Sequence, residues 1–191
     1  RALATPSPAH YFALLQKTGA LGSLFPQLEG LDTNRLAQCL SGIADTDARP
    51  AMALALLLYQ ATESILPEQA CDIIGNFCSQ HRVPNRMRDL ALKLRQGVNG
   101  LYQFDRLDGN ARLQLLKQLD LIRRPALMPT LLQLVRHVHV IPVTREAALQ
   151  RLLMQLSEVD TRTLIERGFS GKALGEELAR QQAEICARYK E

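Results

Sequence analysis

Histidine is the residue here whose chemistry would most readily support a metal site, and its spacing argues against one. A metal site needs several ligands brought together, and no Asp or Glu stands at ligand spacing from any of the histidines. His137 and His139 are two residues apart, and side chains two apart on a helix point in different directions. The sequence therefore predicts no metal site at its histidines, which are His10, His81, His137 and His139.

The cysteines do not form a recognisable metal or redox motif either. No two of them are spaced as C-x-x-C, although Cys71 and Cys78 lie seven apart and so share one face of a predicted helix. This pattern favours buried free thiols in a reducing cytoplasm over a disulfide or a metal site. The four residues concerned are Cys39, Cys71, Cys78 and Cys186.

Motifs for nucleotide or peptide chemistry are also missing. There is no Gly-rich loop followed by Lys and Ser or Thr, no H-E-x-x-H, and no recognisable nucleophile motif. Asp45-Thr46-Asp47 spells D-x-D, but it stands in a polar turn before Pro50 rather than at a strand end, so turn chemistry explains it. We therefore predict no catalytic residue in this chain.

Positive charge is concentrated in one segment. Between Arg82 and Arg124 there are ten Lys or Arg residues against four Asp, a net charge of +6 in a chain whose net charge is +4. A local basic excess is typical of a phosphate-binding face, and a solvated helix face remains the alternative.

The composition is that of a globular protein. The chain has 191 residues, of which 47% are apolar and 22% charged, enough for one or two modest domains. The longest uncharged apolar run, Ala51 to Tyr59, is far shorter than the ~20 residues of a membrane-spanning helix, so we predict no membrane partner. Because the sequence begins at Arg1 without Met or an apolar leader, we expect further residues to precede it.

Helix signals account for nearly the whole chain. Leucines recur three and four apart in "LQLLKQLDLI", and "VHVIPV" is the only strand-like stretch, with Pro142 against it. The sequence predicts an all-α fold, an irregular bundle of about nine to ten helices. Helix openings are expected at Ser7-Pro8, Pro67, Pro84, Asp108, Pro125, Thr144, Asp160 and Ser170.

Four segments, read in order, resemble the C-terminal half of a bacterial tRNA nucleotidyltransferase, the CCA-adding enzyme, or its relative the bacterial poly(A) polymerase. They are "PAHYFALLQKTGALGSLFPQLEGL" (8–31), "RVPNRMRDLA" (82–91), "LDLIRRP" (119–125) and "ERGFSGKALGEELARQQ" (166–182). The resemblance implies the end of the neck and start of the body in 1–31, the helical body in 32–140 and a C-terminal helical tail in 141–191.

The family's catalytic head, which binds Mg²⁺, CTP and ATP, would lie upstream, so this chain inherits no catalytic residue and no cofactor. Its implied partner is tRNA, held through backbone phosphate and shape. The candidate phosphate contacts are Arg86, Arg88, Lys93, Arg95, Arg123 and Arg124. Two alternatives stay open: Arg88 with Asp89 as a structural ion pair, and Arg123 with Arg124 as charges that favour a helix C-terminus.

Some members of the family carry a metal-dependent His-Asp phosphohydrolase region in the body. Aligning "DARPAMALALLLYQATE" (47–63) with it places Ala55 and Leu56 where His and Asp would stand. Methyl and isobutyl groups coordinate no metal, so this resemblance implies that the helical scaffold remains and the phosphohydrolase site is lost.

Together these features predict a cytoplasmic tRNA-binding body and tail that position tRNA for a catalytic head, and that are inactive by themselves. A helical protein-interaction or regulatory module derived from the same scaffold is the alternative. Whether the parent enzyme adds CCA, part of it or poly(A) depends on the head and neck, and these residues leave the oligomeric state open.

Overall fold

The computed structural model describes residues 2–5, 7–43 and 47–191. Within them the chain is helical, with no β-strand, and the predicted all-α bundle is confirmed. The α-helices in chain order are α1 (Pro8–Lys17), α2 (Ala20–Leu24), α3 (Thr33–Ser41), α4 (Arg49–Thr62), α5 (Pro67–Gln80), α6 (Asn85–Tyr102), α7 (Gly109–Gln118), α8 (Met128–Arg136), α9 (Thr144–Ser157), α10 (Thr161–Glu166) and α11 (Gly171–Ala187).

Two helix starts follow the predicted capping chemistry, whereas Ser7 and Ser170 stand before their helices without a side-chain cap bond. The Asp108 carboxylate accepts a hydrogen bond from the Ala111 N–H at 2.8 Å, and Asp160 accepts one from the Arg162 N–H at 2.8 Å. Each bond satisfies one of the N–H groups that the first turn of a helix leaves without a partner.

Two helix signals were misjudged from sequence. Pro125 opens a 3-10 turn, Pro125–Leu127, and α8 begins only at Met128. Asp32 was not predicted as a helix opening, yet its carboxylate caps α3 through the N–H groups of Asn34 and Arg35, both at 3.0 Å. The Asp45-Thr46-Asp47 motif lies largely outside the described residues.

The chain divides into two compact units. The first unit comprises Arg1–Val98 and Leu134–Val138, and the second comprises Asn99–Gln133 and His139–Glu191. The predicted division into neck end, body and tail at residues 31 and 140 stays a prediction.

The core of the first unit is built around α4. Every side chain from Ala51 to Tyr59 is buried, so this helix meets protein on all sides rather than along one stripe. It packs against α3 and α5, and the Glu63 carboxylate just after it forms a two-pronged ion pair with the Arg35 guanidinium of α3. The predicted buried helix is confirmed.

The second unit is organised by the contact between α7 and α11. Gly109, the first residue of α7, comes so close to α11 that a Cβ atom there would lie 2.4 Å from the Ala183 carbonyl oxygen. Such a distance is closer than atoms pack, so the contact requires glycine. None of the described helices is long and apolar enough to cross a membrane.

Candidate nucleic-acid interface

Arg86 and Arg88 lie in the first turn of α6, and both side chains are exposed. Neither has an ion-pair partner among the described residues, and that first turn contains no acidic residue. The N-terminus of a helix carries a partial positive charge, so a cation there is unfavourable by about 0.3–1 kcal/mol. Two unpaired arginines and the helix end add positive potential at the same place, which suits an anion.

The alternative of an Arg88–Asp89 ion pair is not what the structure contains. The Asp89 carboxylate instead accepts from the Lys93 ammonium one turn later, at 3.1 Å. The guanidinium of Arg88 runs along α5, where a Cβ atom added at Gly75 would lie 3.5 Å from it. Arg88 is therefore free of a carboxylate within the described part of the chain.

Lys93 and Arg95, which the sequence analysis placed among the phosphate contacts, are buried. Lys93 pairs with Asp89, and Arg95, with 4% of its surface exposed, donates to the Thr62 carbonyl at 3.3 Å and to the Ile65 carbonyl. The Arg95 guanidinium also lies 6.0 Å from the centre of the Tyr59 ring. Arg95 ties α6 to the end of α4 and the turn after it, and Lys93 pairs within α6, so neither buried side chain stays among the proposed phosphate contacts.

Arg123 and Arg124 flank one carboxylate in the turn after α7. The Asp120 carboxylate accepts from Arg124 Nε at 2.6 Å and lies 3.9 Å from Arg123 Nε. The side chain of Arg123 is 87% exposed, so its charge faces water despite that neighbour. The pair lies five and six residues beyond the last residue of α7, so it interacts with Asp120 rather than capping that helix.

Two further arginines in the second unit are structural, a role that the sequence analysis missed. Arg112 is buried and donates to three carbonyl oxygens, those of Phe104 at 3.0 Å, Asp105 at 2.8 Å and Cys186 at 2.9 Å. A signal was present in the sequence, because Arg112 stands three, four and seven residues before Leu115, Leu116 and Leu119, on the buried stripe of its helix.

Arg145 is the second of these, at 2% exposure. It donates to the Leu101 carbonyl at 2.9 Å and forms ion pairs with the carboxylates of Asp105 at 3.0 Å and Glu191 at 2.7 Å. Burial works against the charged form, but the Glu191 and Asp105 carboxylates outweigh it and raise the pKa of Arg145. A buried guanidinium is tolerated here because its donors and its charge are matched.

The positions compared with a His-Asp phosphohydrolase are deeply buried. Ala55 has no exposed surface and Leu56 has 2%, and within the described ranges no group of three His, Cys, Asp or Glu is placed to hold a metal ion. Two of the histidines serve in packing, since His139 stacks on Tyr102 at 4.4 Å between ring centres and His81 contacts Phe77 at 4.5 Å. Burial also lowers the pKa of His137, which favours its neutral form.

The cysteines are free thiols, as predicted. Cys78 and Cys186 are buried, and Cys39 and Cys71 are half-buried. Burial raises the pKa of each, that of Cys186 to about 11. Since the thiolate is the reactive form, none of the four is poised as a nucleophile near neutral pH.

The fold and these residues define a basic, all-helical protein whose unpaired arginines could hold phosphate. No family model matches the chain, and no solved structure matches it significantly. Curated relatives do: a "CCA-adding enzyme" of Coxiella burnetii is 24% identical over 184 residues, covering 96% of this chain and 46% of the relative. A "Multifunctional CCA protein" of Thioalkalivibrio sulfidiphilus is 25% identical over 222 aligned positions, covering the whole of this chain and 54% of the relative.

The chain is therefore similar along nearly its whole length to proteins named as CCA-adding enzymes, which confirms the resemblance predicted from its sequence. It spans about half the length of the curated relatives that it matches. Because the second alignment is longer than this chain, that relative contains residues for which this chain has no counterpart.

Proposed function

We propose that this chain is the tRNA-binding body and tail of a CCA-adding tRNA nucleotidyltransferase, and that it positions tRNA for a catalytic head elsewhere in the protein. The observation that carries the proposal is the match of CCA-adding enzymes along nearly the whole chain, at about half their own length. Holding the RNA in place would raise the rate at the head by keeping the 3′ end within reach.

The chemistry of the exposed arginines supports RNA as the partner. Arg86 and Arg88 in the first unit, and Arg123 and Arg124 in the second, are the proposed phosphate contacts. A guanidinium donates two parallel hydrogen bonds to a phosphate, and double-stranded RNA is bound mainly through backbone and shape rather than base edges.

In this proposal the nucleotides and Mg²⁺ belong to the head, and no residue of this chain binds them. CTP and ATP would be substrates of the complete enzyme. The free thiols suit the reducing cytoplasm, which is the location that the proposal includes.

Binding of a tRNA transcript to this chain, measured by fluorescence anisotropy across a salt series, tests the proposal. We expect affinity to fall steeply with salt, because each contacted phosphate releases counterions. Arg86→Glu and Arg88→Glu should each lower affinity by roughly three- to tenfold and reduce the slope of log affinity against log salt by about 1.

Lys17→Glu is the matched control, because Lys17 is exposed in the same unit but lies outside the basic segment. It changes net charge by the same amount and should shift affinity by less than about twofold. Absence of tRNA binding at low salt would overturn the proposal and favour a helical protein-interaction module.

We further propose that the α4 region has no phosphohydrolase activity, since Ala55 and Leu56 supply no metal ligand. Assays of phosphate monoesters and cyclic phosphates with Mn²⁺, Ni²⁺ or Co²⁺ should give rates equal to a buffer blank. Metal-dependent hydrolysis that co-purifies with the chain would contradict the loss of this site.

A further inference from the structure

Three cations outside the basic segment line one small cavity of the second unit. Its volume is about 260 Å³, and it is lined by Arg151 of α9 together with Arg188 and Lys190 after α11. Ala148 and Leu152 are its buried apolar lining residues, and Gln155 adds an amide. We propose that this cavity binds backbone phosphate of tRNA, a contact that rests on the proposed function and extends it to α9 and the end of α11.

The three cations of the cavity have no carboxylate partner among the described residues. Arg151, Arg188 and Lys190 are exposed, and none has an ion pair or side-chain hydrogen bond within the described ranges. Glu184 pairs with Arg180 and Glu191 pairs with Arg145 at 2.7 Å, while Glu158 lines an adjoining cavity with Arg188. No acidic residue lines the cavity.

The cations of the cavity differ in their position relative to the helix ends. Arg188 and Lys190 follow α11, where positive charge offsets the negative end of that helix. Arg151 has no such role, because it stands in the middle of α9, one turn before Gln155 on the same face. Like charges gathered at one place repel one another, so a bound anion would stabilise the cluster.

The cavity is also small. Pockets for whole small-molecule ligands have volumes of roughly 300–1,000 Å³. A cavity of about 260 Å³ is below that range and suits one tetrahedral group of a larger ligand. Arginine donors and an open rim match the phosphate of a polymer rather than an enclosed free nucleotide.

Charge reversal at the cavity tests this inference. Arg151→Glu and Lys190→Glu should each weaken binding of a tRNA transcript by roughly three- to tenfold and lower the salt slope by about 1. Both residues are exposed and unbonded, so circular dichroism and the thermal midpoint should match the unaltered chain. Lys172→Glu is the control, since Lys172 is 91% exposed in the same unit and its reversal changes net charge equally.

The outcomes distinguish a failure of the cavity proposal from a failure of the proposed function. If Arg86→Glu weakens tRNA binding while Arg151→Glu and Lys190→Glu behave like Lys172→Glu, the cavity is not an RNA contact and the proposed function stands. If the unaltered chain binds no tRNA at low salt, both proposals fail. If inorganic pyrophosphate shifts amide resonances of α9 but the cavity variants leave tRNA affinity unchanged, the cavity serves a small phosphate compound and the RNA assignment is wrong.

Discussion

Arginine serves two different purposes in this chain, and its surroundings decide which. Arg112 uses its guanidinium to bridge three carbonyl oxygens in the interior of the second unit, at 2.8 to 3.0 Å. Arg86 is exposed at the start of α6 without a partner in the described residues. The first residue satisfies backbone acceptors, whereas the second offers its donors to a ligand.

Substitution of either arginine by methionine removes one unit of charge and keeps similar bulk. Arg112→Met should lower the free energy of unfolding by about 2–4 kcal/mol, because buried carbonyls lose their donors. Arg86→Met should change it by less than about 0.5 kcal/mol and weaken tRNA binding instead. Urea denaturation and fluorescence anisotropy measure the two effects.

An Arg112→Met variant that is as stable as the unaltered chain but binds tRNA more weakly would contradict the structural role of Arg112. The distinction depends on tRNA affinity being measured on folded protein, so the Arg112→Met sample needs a temperature well below its thermal midpoint.

At the scale of helices, α7 approaches α11 so closely at Gly109 that no side chain fits between the two backbones. Gly109 stands against the Ala183 carbonyl and the Ala187 methyl, where an added Cβ would lie 2.4 and 2.9 Å away. Gly175, on α11 itself, has no atom within 4 Å of such a Cβ. The same substitution therefore has opposite effects at the two positions.

Gly109→Ala should destabilise the chain by about 1–3 kcal/mol, since α7 must move away from α11. Gly175→Ala should stabilise it by about 0.5–1 kcal/mol, because alanine restricts the unfolded chain and favours helix. Thermal and urea unfolding of both variants test this pair. A Gly109→Ala variant as stable as the unaltered chain would show that α7 and α11 are not in close contact.

Helix openings were predictable where the signal is local. Asp108 and Asp160 cap their helices through bonds within three residues, so sequence alone located those starts. The apolar content of residues 51–59 likewise predicted a buried helix. The short helix α2 and the 3-10 turn at Pro125–Leu127 were not predicted, because a helix of five residues shows little periodicity and proline opens both kinds of turn.

At the scale of the whole molecule, counting charges along the sequence overstates the basic face. Of the ten Lys and Arg residues between 82 and 124, Lys93, Arg95 and Arg112 are buried. Arg95 is held by carbonyls about thirty residues away, and Arg112 by one that is 74 residues away. The partners of Arg95 come together only in the tertiary fold, so sequence could not separate Arg95 from Arg86 and Arg88, whereas the apolar stripe of α7 did signal the burial of Arg112.

Counting charges along the sequence also misses cations that the fold brings together. Arg151 and Lys190 are far apart in sequence and outside the basic segment, yet they line one cavity. The relationship to the CCA-adding enzymes was predictable because short ordered motifs survive divergence, and the relatives confirm it. The grouping of charged side chains into sites was not predictable from the sequence, because it depends on which helices contact each other.

The close approach at Gly109 has a consequence for the history of this chain. Its curated relatives share only about a quarter of their residues with it, so most positions have been free to change. Position 109 is not free in that sense, because every other amino acid would place a carbon atom against the Ala183 carbonyl. Relatives that share this close contact between α7 and α11 should therefore also carry glycine at the aligned position, and an alignment in which other residues stand there would contradict this expectation.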